Sequence, residues 1–217
     1  MKQSLLSAGL IAAGAAPALA HHPLGGLPME TFAHGALSGI GHPLLGFDHL
    51  LFVIGVGMVA VFTGHRYLAP AAYIGAMVIG CLISAAGIGV PIAEAAIALS
   101  LLAVGFIALR GLALALAPAA ALFAVFGIFH GAAFGEAIAA QEAGAGTSVL
   151  IGYLLGLGIV QYGIALGAGY AITAFFKVRE AMAIEARLAG AMVAGVGLFL
   201  SLEIAEGMVV AALGWAA

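Results

Sequence analysis

Apolar residues run through this 217-residue chain in long stretches, and charged residues are sparse. Each stretch holds about the 20 residues that an α-helix needs to cross roughly 30 Å of hydrocarbon. The pattern therefore predicts an all-α, polytopic membrane protein built as a bundle of six transmembrane helices. The predicted spans are residues 43–63, 68–87, 91–109, 112–140, 147–176 and 187–215.

The N-terminus has a different pattern, which is typical of a secretory signal peptide. Lys2 supplies the positive charge, LLSAGLIAAGAA forms a short apolar core, and ALA at residues 18–20 is a small-x-small cleavage site. The alternative is an uncleaved first helix. We expect residues 1–20 to be cleaved, which leaves residues 21–217 as a single six-helix transmembrane domain that begins outside the cytoplasmic membrane.

The composition supports a lipid environment. Hydrophobic residues make up 65% of the chain and charged residues 7%, whereas a soluble domain needs roughly a quarter of its residues charged. One cysteine excludes a disulfide framework, and the absence of a basic patch argues against nucleic acid as a partner. Glycines spaced by four residues predict close helix packing. These are Gly127, Gly131 and Gly135 in the fourth span, and Gly152 and Gly156 in the fifth.

Lysine and arginine predict the orientation of the bundle. All those beyond residue 20 lie in alternate loops, which we assign to the cytoplasm because of the positive-inside rule. The mature N-terminus and the C-terminus would then both be periplasmic, in a bacterial inner membrane. The residues are Arg66, Arg110, Lys177, Arg179 and Arg187.

Most acidic residues and histidines fall in the outer half of this topology, where no lysine or arginine can pair with them. An unpaired charge near the membrane centre costs roughly 2.5–3.5 kcal/mol or more. Imidazole together with carboxylate suits divalent nickel, cobalt, zinc or iron. Glu94 could instead cap a helix, and Glu203 and Glu206 could form structural hydrogen bonds on one helix face. The polar groups within the spans are Asp48, His49, Glu94, His130, Glu136, Glu203 and Glu206.

The stretch GHPLLGFDHLLF, residues 41–52, raises a geometric problem. On one straight helix His42 and His49 would lie about 10.5 Å apart along the axis, too far to share an ion. Pro43 disfavours helical geometry at His42, and Gly46 makes a bend inexpensive. We therefore predict a turn here, with residues 29–41 as a short segment that lies in or dips into the outer interface.

Two motifs resemble a known family. HPLLGFDHLLFVIGVG (residues 42–57) is similar to the HPxxGxDHxxxMxxVG signature of the HupE/UreJ nickel/cobalt permeases, and FHGAAFGEA (129–137) to their FHGxAHGxE motif. The sequence departs from these motifs at three places: Val53 replaces the methionine, Phe134 the second histidine, and Ala137 the glutamate, with Glu136 one residue earlier.

The resemblance implies uptake of Ni²⁺ or Co²⁺ across the inner membrane, for enzymes such as hydrogenase or urease. It assigns His42, Asp48, His49 and His130 to metal binding. We expect a transported ion and no permanently bound cofactor. Two alternatives are an intramembrane metal-dependent hydrolase and a b-type haem subunit with His49 and His130 as axial ligands. The further candidates are Glu94, Glu136, Glu203 and Glu206 for metal or proton relay, and His21 and His22 for metal capture at the mature N-terminus.

Overall fold

The computed structural model describes residues 29–140 and 146–215, and within these ranges all regular structure is helical. The predicted signal peptide, together with His21 and His22, lies outside the described residues. The helices are α1 (Phe32–Leu45), α2 (Phe47–Ala60, extended by a 3₁₀ turn at Val61–Thr63), α3 (Leu68–Ala85), α4 (Ala93–Leu109), α5 (Leu116–Ala139), α6 (Thr147–Ala174) and α7 (Ile184–Ala212).

Four helices, α3, α5, α6 and α7, are long and apolar enough to cross a membrane. The bent pair formed by α1 and α2 passes the same criteria when its two helices count as one span. The remaining apolar helix, α4, has 17 residues and is shorter than these. The chain is therefore a multi-pass helical membrane protein. The predicted total of six spans is reached only if α4 is also a span.

Glycines let the helices pack backbone against backbone. A Cβ atom added at Gly131 of α5 would lie 2.0 Å from the Met77 carbonyl oxygen of α3. One added at Gly57 of α2 would lie 2.0 Å from the Ala165 oxygen of α6. Such distances are possible only without a side chain, so the predicted role of the glycine stripes in tight packing is confirmed. Similar contacts join α1 to α6 and α4 to α7.

These contacts also fix the directions of the helices. Gly127 meets Tyr73 and Gly135 meets Cys81, so α3 and α5 run parallel, as do α2 and α6. Helices α4 and α7 are antiparallel, because Gly105 contacts Ala194, whereas Gly190, which is earlier in α7, contacts Leu109 at the end of α4. Helices α2 to α7 thus alternate in direction and give the bundle two distinct ends.

We call these ends the acidic end and the basic end. The acidic end carries Asp48 at the start of α2, Glu94 at the start of α4 and Glu203 in the last part of α7. The basic end carries every lysine and arginine of the described residues, together with Glu180 and Glu185. The lysines and arginines are Arg66, Arg110, Lys177, Arg179 and Arg187.

The predicted bend in this stretch is confirmed at Gly46, but the expectation that Pro43 disfavours helical geometry at His42 is wrong. Helix α1, which begins after an N-cap at Thr31, continues through Pro43 to Leu45, and only Gly46 is non-helical. A proline inside a helix removes one backbone hydrogen bond, here to the Gly39 carbonyl, and α1 ends within one further turn. The Gly46 N–H still closes that turn on the His42 carbonyl at 3.0 Å. The axes of α1 and α2 differ by 82° across this single residue.

Substituting Gly131 with alanine is expected to separate α3 from α5, because the methyl group cannot fit beside the Met77 carbonyl. Overpacking of this kind costs about 1–3 kcal/mol, so the melting temperature in detergent should fall by several degrees. Gly75→Ala in α3 is the matched control, since its Cβ meets nothing within 4 Å. Equal melting temperatures for the two variants would contradict this packing.

Candidate metal centre

The bend at Gly46 brings two histidines of the first motif together. The rings of His42 on α1 and His49 on α2 lie 6.3 Å apart between centroids in an edge-to-face arrangement. A Cβ atom at position 46 would lie 2.9 Å from Cδ2 of His49 and 3.3 Å from an oxygen of Asp48. Glycine is therefore needed here for close approach. The prediction that a break shortens the His42–His49 separation is confirmed.

The centre of the site is a pair of buried imidazoles. Nδ1 of His49 on α2 lies 2.7 Å from Nδ1 of His130 on α5. His130 is fully buried and His49 is 7% exposed. Two nitrogens at this distance share a proton, so one ring donates its N–H and the other accepts it.

Ser100 of α4 decides which ring donates. Its hydroxyl donates to the Ile97 carbonyl at 2.6 Å, and a carbonyl oxygen can only accept. The same hydroxyl lies 2.9 Å from Nε2 of His130, so its oxygen accepts the Nε2–H of that ring. A neutral His130 then has its lone pair on Nδ1, directed at His49, and His49 is the donor.

Asp48 lies beside the pair. Its Oδ1 accepts the backbone N–H of His49 at 2.8 Å and lies 4.0 Å from His49 Nε2. The Asp48 side chain is 34% exposed, so it connects the buried histidines to the surface at the acidic end. Because His49 donates through Nδ1, its lone pair is on Nε2, the nitrogen that faces this carboxylate.

Aromatic rings close the other sides of the site. Phe52 stacks on His130 at 4.3 Å between centroids, and Phe134 lies 5.1 Å from His42 and 4.4 Å from His49. The Tyr153 hydroxyl donates to the Phe134 carbonyl at 3.1 Å and lies 3.0 Å from Nδ1 of His42. The imidazoles are thus held in a largely apolar, water-poor environment.

Three carboxylates from separate helices share a cavity of about 400 Å³ at the acidic end. Asp48 lines it from α2, Glu94 from the first turn of α4 and Glu203 from α7. Glu136 and Glu206 are exposed on α5 and α7 and are not among its lining residues. Asp48 both lines this cavity and lies beside His49, so the cavity and the histidine pair are neighbours.

The full predicted ligand set does not converge on one point. Within residues 29–140 and 146–215, no three His, Cys, Asp or Glu side chains are close enough to hold a single ion. The structure brings His49 and His130 into contact, with Asp48 and His42 flanking them. Metal binding by these four residues stays a prediction.

The haem alternative does not fit the histidine pair. Axial nitrogens on opposite faces of a haem iron lie about 4 Å apart, twice a metal–nitrogen bond of about 2 Å, with the porphyrin between them. His49 and His130 touch directly at 2.7 Å. This arrangement leaves no space for a porphyrin plane.

Sequence reasoning missed Ser100 and Tyr153. It considered ionisable groups within the spans, and both of these residues act through a hydroxyl. A hydroxyl in a membrane helix also needs a partner, so every serine and tyrosine of the spans is a candidate, and this criterion alone does not single out these two. Ser100 is fully buried and Tyr153 is 1% exposed.

The fold and the site define a class: a multi-pass helical membrane protein with a buried imidazole pair near a carboxylate-lined cavity. Comparisons with known proteins identify the family. A family model described as HupE / UreJ protein matches residues 9–200, so the chain belongs to the HupE/UreJ family. Protein HupE of Rhizobium leguminosarum bv. viciae is 31% identical over 202 residues, covering 92% of this chain and 98% of that protein. No solved structure matches.

Replacing Ser100 with alanine should destabilise the protein, because the Nε2–H of His130 would lose its buried acceptor. An unsatisfied buried group costs about 1–3 kcal/mol, which would lower the melting temperature by several degrees. Ser84→Ala is the control, since the buried Ser84 hydroxyl has no partner among the described residues. Ser100→Thr should retain most of the stability. A Ser100→Ala protein as stable as Ser84→Ala would refute the hydrogen bond.

Proposed function

We propose that this chain is a permease that carries Ni²⁺ or Co²⁺ from the periplasm into the cytoplasm across the bacterial inner membrane. Membership of the HupE/UreJ family supports a permease of this general type. The observation that carries the metal-site assignment is the contact between two buried imidazole nitrogens beside a carboxylate. Imidazole nitrogens suit both ions.

In this proposal the cavity lined by Asp48, Glu94 and Glu203 is the entrance. Its three carboxylates attract a hydrated cation and replace part of its water shell with oxygen ligands. Asp48 then passes the ion to His49. Glu136 and Glu206 are exposed and are not in this cavity's lining, so they are assigned only to a possible proton relay. His21 and His22 would capture metal at the mature N-terminus.

The two nitrogens are already close enough to bind one ion, but each ring must turn so that its lone pair points at the ion and not at the other ring. Two nitrogens that bind one metal at about 2.0–2.1 Å and at right angles lie about 2.9 Å apart, close to the 2.7 Å between His49 and His130. His130 already presents the Nδ1 lone pair. The proton of His49 must move from Nδ1 to Nε2, and the Nε2–H can then donate a hydrogen bond to Asp48. This would create the carboxylate–histidine–metal arrangement common in metalloproteins, with Ser100 as the corresponding partner of His130.

The membrane potential would drive uptake. Each charge that moves inward gains about 2.3 kcal/mol per 100 mV, so a divalent cation gains about twice that amount without ATP. The orientation follows from the basic end, which we assign to the cytoplasm. An even number of spans places both mature termini outside, and α4, with 17 residues, raises the number from five to six.

The departures from the family motifs affect the ligands. Phe134 lies against both His42 and His49, so a histidine there would bring a third imidazole to the pair. Val53 is fully buried. This chain therefore offers fewer nitrogen and sulfur ligands than the motif describes, which makes His42 and Asp48 more important for holding the ion.

Uptake of radioactive Ni²⁺ or Co²⁺ into cells tests the site. Asp48→Ala and His49→Ala should each lower uptake by at least about tenfold, the loss expected when a ligand or its orienting partner is removed. His65→Ala provides the control, because His65 is exposed at the basic end. Protein amounts in the membrane should be equal in all variants. Uptake unchanged by both site substitutions would disprove this assignment.

Cysteine labelling tests the orientation. In a Cys81→Ala background, Gly89→Cys, in the exposed loop between α3 and α4, should react with a membrane-impermeant maleimide in intact cells with a permeabilised outer membrane. His65→Cys, between α2 and α3, should react only after the inner membrane is broken. The reverse pattern would contradict the proposed orientation and would place the carboxylate-lined cavity on the cytoplasmic side.

A further inference from the structure

Gln161 is a polar residue at the centre of the bundle. It stands at the midpoint of α6, which runs from Thr147 to Ala174, and it is fully buried. It is four residues before Ala165, which contacts Gly57, and four after Leu157, which contacts Gly39. The Gln161 side chain is therefore on the stripe of α6 that faces α1 and α2.

The carboxamide of Gln161 is only half satisfied. Its Oε1 accepts a hydrogen bond from the Tyr73 hydroxyl of α3. Its Nε2 is buried and has no hydrogen-bond partner among the described residues. A polar group left unsatisfied in an apolar interior is costly, and polar residues inside membrane bundles commonly mark the pathway of a substrate or an ion.

Tyr73 connects this group to the histidine pair. Its ring lies 6.1 Å from that of His130 and 5.4 Å from that of Phe52. Tyr73 also packs against Gly127, about one turn from His130 towards the basic end. Gln161 lies eight residues, or about 12 Å along α6, beyond Tyr153 in the same direction. His130, Tyr73 and Gln161 therefore follow one another from the acidic half of the bundle inward.

A carboxamide can present either of its two polar atoms. Rotation by 180° about the last side-chain bond would let Nε2 donate to the Tyr73 oxygen and would turn Oε1 to the unsatisfied side. A tyrosine hydroxyl both donates and accepts, so it can partner either orientation. In the rotated form the amide oxygen is a ligand for a cation.

We propose that Gln161, held by Tyr73, is a second and inner binding site for the divalent cation as it moves from the histidine pair towards the basic end. This inference rests on the proposed function. A neutral amide oxygen binds Ni²⁺ or Co²⁺ less tightly than two imidazoles do. Weak binding at the membrane midpoint suits transport, since an ion must leave each site as readily as it enters.

The test separates binding from translocation. Gln161→Met keeps the size of the side chain and removes the amide. Co²⁺ uptake should fall by about tenfold or more, because the ion loses its inner site, while Co²⁺ binding to purified protein should stay within about twofold, because the histidine pair is intact. Gln161→Glu keeps an oxygen ligand and should retain more uptake than Gln161→Met. Tyr162→Phe, which removes a neighbouring tyrosine hydroxyl on α6, should transport normally.

A purely structural Tyr73–Gln161 hydrogen bond makes a different prediction. Removing both partners in Tyr73→Phe with Gln161→Met would then restore uptake, because no polar group is left unpaired. Such a recovery, or normal uptake by Gln161→Met alone, would overturn the inner site. If the Gln161→Met protein is absent from the membrane, Gln161→Asn, whose side chain is one methylene shorter, replaces it. Reduced uptake by Gln161→Asn would support the inner site, and normal uptake would overturn it. Absence of uptake by the unaltered chain would remove the proposed function as well.

Discussion

The arrangement of this protein depends on direct contact between helix backbones at glycine. At Gly131 and Gly57 the neighbouring carbonyl occupies the space of a side chain, so each helix pair can pack in only one register. Lipid offers no hydrophobic force that brings helices together, and close packing with good van der Waals contact must supply the attraction instead. The register of α2 against α6 and of α5 against α3 in turn sets where His49 and His130 meet. The contact between the two imidazoles is therefore a product of packing at positions that carry no functional group.

Much of this architecture can be predicted from hydropathy and charge. The apolar runs that became α3, α5, α6 and α7 were predicted within a few residues at most of their ends, because length and composition suffice for a membrane helix. The bend at Gly46 is predicted too, but the helix break expected at Pro43 does not occur. Pro43 is a strong local signal against a helix, yet here it costs one hydrogen bond near the end of α1. Gly46 carries the bend because Asp48 and His49 fold back over it, a contact that no local propensity encodes.

The site was predictable in part. Four ionisable groups stand out in the apolar chain: His42, Asp48, His49 and His130. Asp48, His49 and His130 lie in one connected cluster, and His42 makes an edge-to-face ring contact with His49. The partners of these residues could not be predicted in the same way. Ser100 matters because its hydroxyl is committed to the Ile97 carbonyl and so fixes the proton on His130. That relation joins α4 to α5 across 30 residues of sequence, and it depends on helix rotation, which hydropathy does not report.

The shortness of α4 has a consequence for how water and voltage reach the site. Seventeen residues span about 26 Å, less than the roughly 30 Å of a hydrocarbon core. Arg187 of α7 donates to the carbonyl of Leu109, the last residue of α4, and so ties that helix to the basic end. In the proposed six-span arrangement, the missing length falls at the opposite end, beside Glu94, where the bilayer must thin or admit water. Solvent continuous with this recess would shorten the insulating layer around His49 and His130, so most of the transmembrane field would act on an ion between these histidines and the basic end.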